Sequence, residues 1–181
     1  SNRNSSNKTS LDGGNSITLN SSTSNVAMIP LGFRTLQVVL DESLDRIMVI
    51  PGMASRCIDC LATYAKQQHD VNISLTAIGA MWTLTDYIRQ HIINKTISTP
   101  GVDTSGTTTP SSTSAGADEL WICIITQLQV LSLDDRASVR NSAMKTLFST
   151  LATHGNSLST SNWSIIIRSD GLLFTMLSSV W

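Results

Sequence analysis

The run "DDRASVRNSAMKTLFSTLATHG", residues 134–155, sets two acids, Asp134 and Asp135, a few positions before Arg140 and ends in His154 and Gly155. In a catalytic reading the two acids would act as general acid and base, Arg140 would steer an anion and His154 would complete the site. Such work needs a pocket that desolvates one carboxyl group, and nothing in the sequence supplies one. A structural reading accounts for the same residues more completely. An acid in the turn satisfies free amide N–H groups at the start of a helix opening near Ala137, and Gly155 closes that helix just past its last residue. Val139, Ala143, Leu147 and Leu151 form the buried face. Arg140, on the first turn, reaches back to Asp134 or to the equivalent acid of an adjacent unit, and small Ala143 lets a paired helix approach closely. The stretch reads as one helix of a stack.

Two other groups could carry chemistry. Cys57-Ile-Asp-Cys60 has the spacing of redox and zinc sites, but no second CxxC or CxxH follows. Both cysteines fall on the apolar stripe with Met53 and Tyr64 and read as buried structural thiols. With Cys123 they make an odd number without disulfide-rich spacing, which suits a reducing compartment. His69, His91 and His154 lack HExxH-type spacing and read as loop or surface residues. No catalytic residue, metal or cofactor is expected. The candidates for partner contact are Trp82, Asp86 and Arg89, which lie within two turns of one helix. A tryptophan can anchor a partner. The plainer alternative has Trp82 and Trp121 bridging neighbouring helices and Asp86 pairing with Arg89, which contributes only tenths of a kcal/mol.

The elements that position these residues are helical. Apolar residues make up 41% of the 181 residues and charged ones 14%, against roughly 25% charged in ordinary soluble domains. The net charge is -1 and the basic residues are scattered, so no positive stripe exists for nucleic acid. No apolar run approaches the ~20 residues of a membrane span, so membrane association is indirect or peripheral. Residues 1–27 and 98–117 are rich in Ser, Thr, Asn and Gly and read as a disordered tail and a disordered loop. Residues 28–97 and 118–181 carry an apolar period near 3.6 and read as helical repeats. The chain opens at Ser1 and reads as an excised piece. Sequons at Asn72, Asn94 and Asn162 follow from composition.

Six helices in three hairpins are predicted. The first opens at Pro30 and is broken at Pro51-Gly52-Met53; the second spans about residues 53–68. The third is capped by Asn72 and buries Ala77, Met81, Leu84 and Ile88. The fourth begins at Asp118 and Glu119, and its face holds Leu120, Trp121, Ile124, Ile125, Leu128 and Leu131. The fifth is the opening stretch, and the sixth is capped by Ser161 or Asn162 with a break at Gly171. The predicted fold is all-α, a HEAT/armadillo-like α-solenoid segment of about three helical hairpins.

The spacing from Asp134 through Val139, Arg140 and Ala143 to Leu147 resembles the HEAT-repeat signature. "NISLTAIGAMWTLTDYI" (72–88) and "ELWICIITQLQVLSLDDRASVRNSAMKTLFSTLATHG" (119–155), followed by Trp163, together resemble a central part of the Mon-two (monensin-sensitivity) family. The resemblance covers about residues 31–177 outside the loop. That family is similar to the large Arf guanine-nucleotide exchange factors but lacks their catalytic domain. The resemblance implies a non-enzymatic scaffold on the cytoplasmic face of trans-Golgi and endosomal membranes, working in endosome-to-Golgi and Golgi-to-vacuole transport. It also implies a Dopey-family partner and, through the complex, an Arf-like GTPase and a P-type lipid flippase. An accessory role toward an Arf-like GTPase is the alternative. Exchange catalysis itself would need a loop glutamate. The two glutamates are Glu42 and Glu119, and no acid follows the turn in "IPGMASR".

Overall fold

The helical period of the sequence is realised throughout a computed structural model that describes residues 21–97, 112–168 and 171–179. Among them the order is α1 (Ser21–Val49), α2 (Met53–Lys66), α3 (Val71–Ile97), α4 (Ser112–Leu131), α5 (Ala137–His154), a 3-10 turn (Gly155–Ser157), α6 (Thr160–Ile167) and α7 (Leu172–Ser179), with no strand. The fold is all-α.

Several predicted boundaries move. Helix α1 runs through Pro30 from Ser21, ahead of the tail boundary placed at residue 27, and α4 starts at Ser112 instead of 118. Once packed turns set a helical register, each added residue costs little, so weak formers at an end are carried along. The rest of the predicted tail and loop, residues 1–20 and 98–111, lies outside the described residues.

The turns show what the local sequence does. Gly52 adopts a left-handed φ of 72° before α2, a conformation that side chains with a Cβ resist. Asp70, not Asn72, caps α3: its Oδ1 accepts from the Asn72 amide at 2.8 Å. The acid sits where the first-turn amides and the helix dipole both favour negative charge. Ser159, two or three residues earlier than predicted, caps α6 by accepting from the Asn162 amide at 3.2 Å. Asn162 is buried and donates through Nδ2 to the Asp118 carbonyl at 3.4 Å. The predicted break at Gly171 divides one expected helix into α6 and α7. A Cβ there would lie 2.6 Å from the Ile165 carbonyl and 2.8 Å from that of Arg168.

The hairpins are therefore α2/α3, α4/α5 and α6/α7, with α1 a leading helix packed on α2. Helix α2 stacks on α4 and α3 on α5, so the α2/α3 and α4/α5 hairpins lie side by side. Their shared core contains Ile58, Leu61, Ala77, Ile78, Met81, Trp121, Ile124, Leu128, Val139, Ala143 and Leu147. Ala65, Ala77 and Ala143 are fully buried and let the helix axes approach. Each large buried side chain contributes roughly 1.5–3 kcal/mol of transfer free energy.

One thiol prediction is corrected. Cys57 is buried but Cys60 is exposed, because positions three apart on a helix diverge by about 60° and the buried stripe is narrower than that around Cys57. Burial, helped by Cys60, pushes the Cys57 thiol up, and burial does the same to half-buried Cys123.

Candidate partner-binding surface

Helix α3 divides its circumference among three tasks. Its inner stripe, Ala77, Ile78, Met81, Leu84, Thr85 and Ile88, is buried. One flank meets α5 and carries the three predicted contact residues, Trp82, Asp86 and Arg89, all half-buried. The other flank faces α1.

On the α5 side, His154 lies between two indoles. Its ring centroid is 5.3 Å from those of Trp82 and Trp121, tilted 40° and 47° respectively. His154 is 1% exposed, which overturns its assignment to a loop or surface. The spacing Val139, Ala143, Leu147, Thr150, His154 carries the helical 3–4 rhythm of a buried stripe, which the absence of HExxH spacing does not reveal. Neither ring nitrogen has a hydrogen-bond partner among the described residues, nor do Trp121 Nε1 and Thr150 Oγ1. Desolvation depresses the His154 pKa; Arg89 adds to the effect and Asp86 opposes it. The imidazole is thus held neutral.

That yields a signed prediction. A histidine that is harder to protonate when folded lets the unfolded chain bind more protons, so stability falls as pH drops below the unfolded value of 6.5. Thermal melts of the chain should shift downward between about pH 7.5 and about pH 5.5, and His154→Phe should remove that part of the shift. An equal shift in the variant would assign the effect elsewhere.

Asp86 is engaged with Gln90, whose Nε2 donates to Oδ2 at 2.8 Å. The predicted Asp86–Arg89 pair is replaced by this contact one full turn on, where side chains align better. Of the two tryptophans, Trp121 is fully buried and bridges helices, whereas Trp82 keeps an accessible edge.

The repeat motif is placed as follows. Val139, Ala143 and Leu147 are buried as predicted, and Leu151 is half-buried. Arg140 does reach Asp134, but through the main chain: Nη1 donates to its carbonyl at 2.8 Å. The Asp134 carboxylate belongs instead to Arg136, through Nε at 2.8 Å and Nη2 at 2.9 Å. Arg136 also donates to the carbonyls of Gln67 (2.6 Å) and Ala65 (3.0 Å) and to Ser74 Oγ (3.1 Å). It therefore closes the carbonyl end of α2 from the α4–α5 turn. A planar fork suits that convergence, and no spacing rule had singled out Arg136. The hydrogen bond from Arg136 is the main cause that lowers the Asp134 pKa. Gly155 closes α5 as predicted, its amide donating to the Leu151 carbonyl, but with a right-handed φ of −55°. Its Cβ would lie 2.8 Å from Trp163 Cζ2, and Trp163 Nε1 donates to its carbonyl at 3.0 Å, so the glycine makes room for an indole.

On the α1 side a groove of 420 Å³ separates the two helices, lined by Gln37, Leu40, Asp41 and Leu44 of α1 and Thr76, Gly79, Ala80, Thr83 and Leu84 of α3. One turn further along both helices the Tyr87 hydroxyl donates to Asp45, tying the helices together. Burial, with that bond, pushes the tyrosine pKa to about 12. Among the described residues no three His, Cys, Asp or Glu side chains converge to hold a metal, and no helix is long and apolar enough to cross a membrane.

Comparison with known proteins gives this arrangement a context. Residues 45–181 match a family model described as the C-terminal region of Mon2 protein; the central position expected from the sequence is thereby corrected. The chain is 35% identical over 160 residues to the protein MON2 homolog of Drosophila melanogaster and 31% identical over 168 residues to that of Homo sapiens. These matches cover 84% and 85% of the chain but 9% of each relative, so the chain spans less than a tenth of their length. A more distant likeness, 24% over 169 residues, is to brefeldin A-inhibited guanine nucleotide-exchange protein 1 of Arabidopsis thaliana, covering 85% of the chain and 10% of that protein. No solved structure matches the chain.

Proposed function

The chain belongs to the Mon2 family, and from that membership we propose that it is a scaffold segment of a peripheral Golgi and endosomal protein in vesicle-mediated transport. The transport steps are endosome to Golgi and Golgi to vacuole, and the segment works from the cytoplasmic face of those membranes. It has no chemistry or cofactor of its own. Its partner is a protein of the Dopey family, and the complex brings in an Arf-like GTPase and a P-type lipid flippase.

The observation that carries this reading is the family match over residues 45–181. The fold supports it. Side-by-side hairpins are the unit that HEAT and armadillo-like solenoids repeat, and α3 offers a half-buried tryptophan and two charges beside a rigid seam. The likeness to a guanine nucleotide-exchange protein favours a second reading, an accessory element for an Arf-like GTPase.

Co-purification tests both. The chain should capture a Dopey protein, and Asp86→Lys with Arg89→Glu should weaken capture while the melting curve stays that of the parent. Unchanged capture across those variants would remove the α3 flank as the contact. A GTP-locked Arf-like GTPase is the parallel bait. Release of a fluorescent nucleotide from that GTPase should proceed at the spontaneous rate; acceleration by the chain would establish the second reading.

A further inference from the structure

Helix α3 touches α5 closely at the seam of Trp82 and His154, yet leaves a 420 Å³ groove toward α1. We propose that this groove docks an amphipathic helix of a partner protein, which lays an apolar ridge over Gly79 and Ala80 and sets a Lys or Arg against Asp41. The inference rests on the scaffold reading for the partner being a protein, and it concerns the opposite flank of α3 from Trp82, Asp86 and Arg89.

The floor is Thr76, Gly79, Ala80 and Thr83, small residues spaced i, i+3, i+4 and i+7. That row is the one against which a second helix packs its own ridge, and small side chains allow the closest approach. The space above it is open: a Cβ built on Gly79 meets no atom within 4 Å. Leu40, Leu44 and Leu84 supply apolar walls. Among the described residues Asp41 is the one charged side chain lining the groove. Glu42, beside it, does not line the groove, and Asp45, one turn further along α1, is taken by Tyr87. No hydrogen bond or ion pair engages the Asp41 carboxylate among the described residues. A cation on the incoming helix is the complement of this acid and of neighbouring Glu42, whereas an anionic lipid headgroup would be repelled. The mode is helix-in-groove recognition with i, i+3, i+4 and i+7 anchors.

Two labelled synthetic helices with the same Leu/Ala ridge, one carrying a flanking Lys and the other a Glu at that position, provide the probe. Fluorescence anisotropy should show saturable binding of the Lys helix to the 181-residue chain and weaker binding of the Glu helix. Gly79→Leu, whose Cβ meets no atom within 4 Å, puts a side chain into the groove and should lower affinity about tenfold or more. Asp41→Lys, at an exposed position, should invert the preference, so a folding defect in one variant leaves the other decisive. No saturable binding by either helix overturns the proposal. So does affinity unmoved by Gly79→Leu, or a preference for Glu in the parent. No trafficking protein is present, so failure here and failure of Dopey capture are separate results.

Discussion

Ala143→Asp should abolish the cooperative fold of the α4/α5 hairpin. Ala143 is fully buried on α5 between Val139 and Leu147, on the side of that helix that meets α3 and α4. A carboxylate there loses its hydration and gains no counter-ion, a combination that costs about 3–5 kcal/mol. Set against the 5–15 kcal/mol, roughly, that holds a domain together, that loss removes a large part of the margin. Circular dichroism should show a melt displaced far downward or a chain already unfolded at room temperature. Ala143→Gly is the control: it creates no charge, costs about 1 kcal/mol in helix propensity and should keep the fold. An aspartate variant that melts like the parent would mean that α5 presents another face to its neighbours.

Arg136→Met should be the next most damaging change. Its side chain makes five hydrogen bonds, two to Asp134 and one each to Gln67, Ser74 and Ala65. Methionine fills part of the volume but removes the guanidinium donors from the Asp134 carboxylate, which is 10% exposed and keeps only the residue-136 amide, and from two helix-end carbonyls. The expected loss is about 2–4 kcal/mol. Arg136→Lys keeps the charge but cannot span those acceptors, so it should recover less than half of the loss. Acid adds an independent signature. The folded Asp134 carboxyl has a lower pKa than the unfolded 3.8, so its stabilising contribution is complete above that value and disappears as pH falls through the lower folded value. The parent should lose stability on acidification below about pH 4, and Arg136→Met should lack that component. Denaturant unfolding at two acidic pH values would resolve it; parallel pH curves for the parent and the variant would show that the pair contributes nothing.

These two sites differ in how much of them could be read beforehand. Ala143 belongs to a periodic pattern: Val139, Ala143, Leu147 and their flanking polar residues repeat with the helical turn, and one helix in isolation already defines which of them face together. The same holds for the inner stripe of α3, for the left-handed turn at Gly52 and for the break at Gly171, where local sterics select glycine. Arg136 belongs to no pattern. Its acceptors Ala65, Gln67 and Ser74 precede it by 71, 69 and 62 residues and meet it only because two hairpins lie side by side.

Period and turn chemistry, being properties of a few consecutive residues, therefore determined the all-α class, the buried stripes and most of the breaks directly from the sequence. Tertiary structure alone decided that Arg136 reaches the carbonyl end of α2, that His154 lies dry between Trp82 and Trp121, and that α1 stands away from α3 to leave a groove. Each of those outcomes depends on the distance and angle between helices. That geometry is set by how whole faces of side chains interlock, which no single helix encodes.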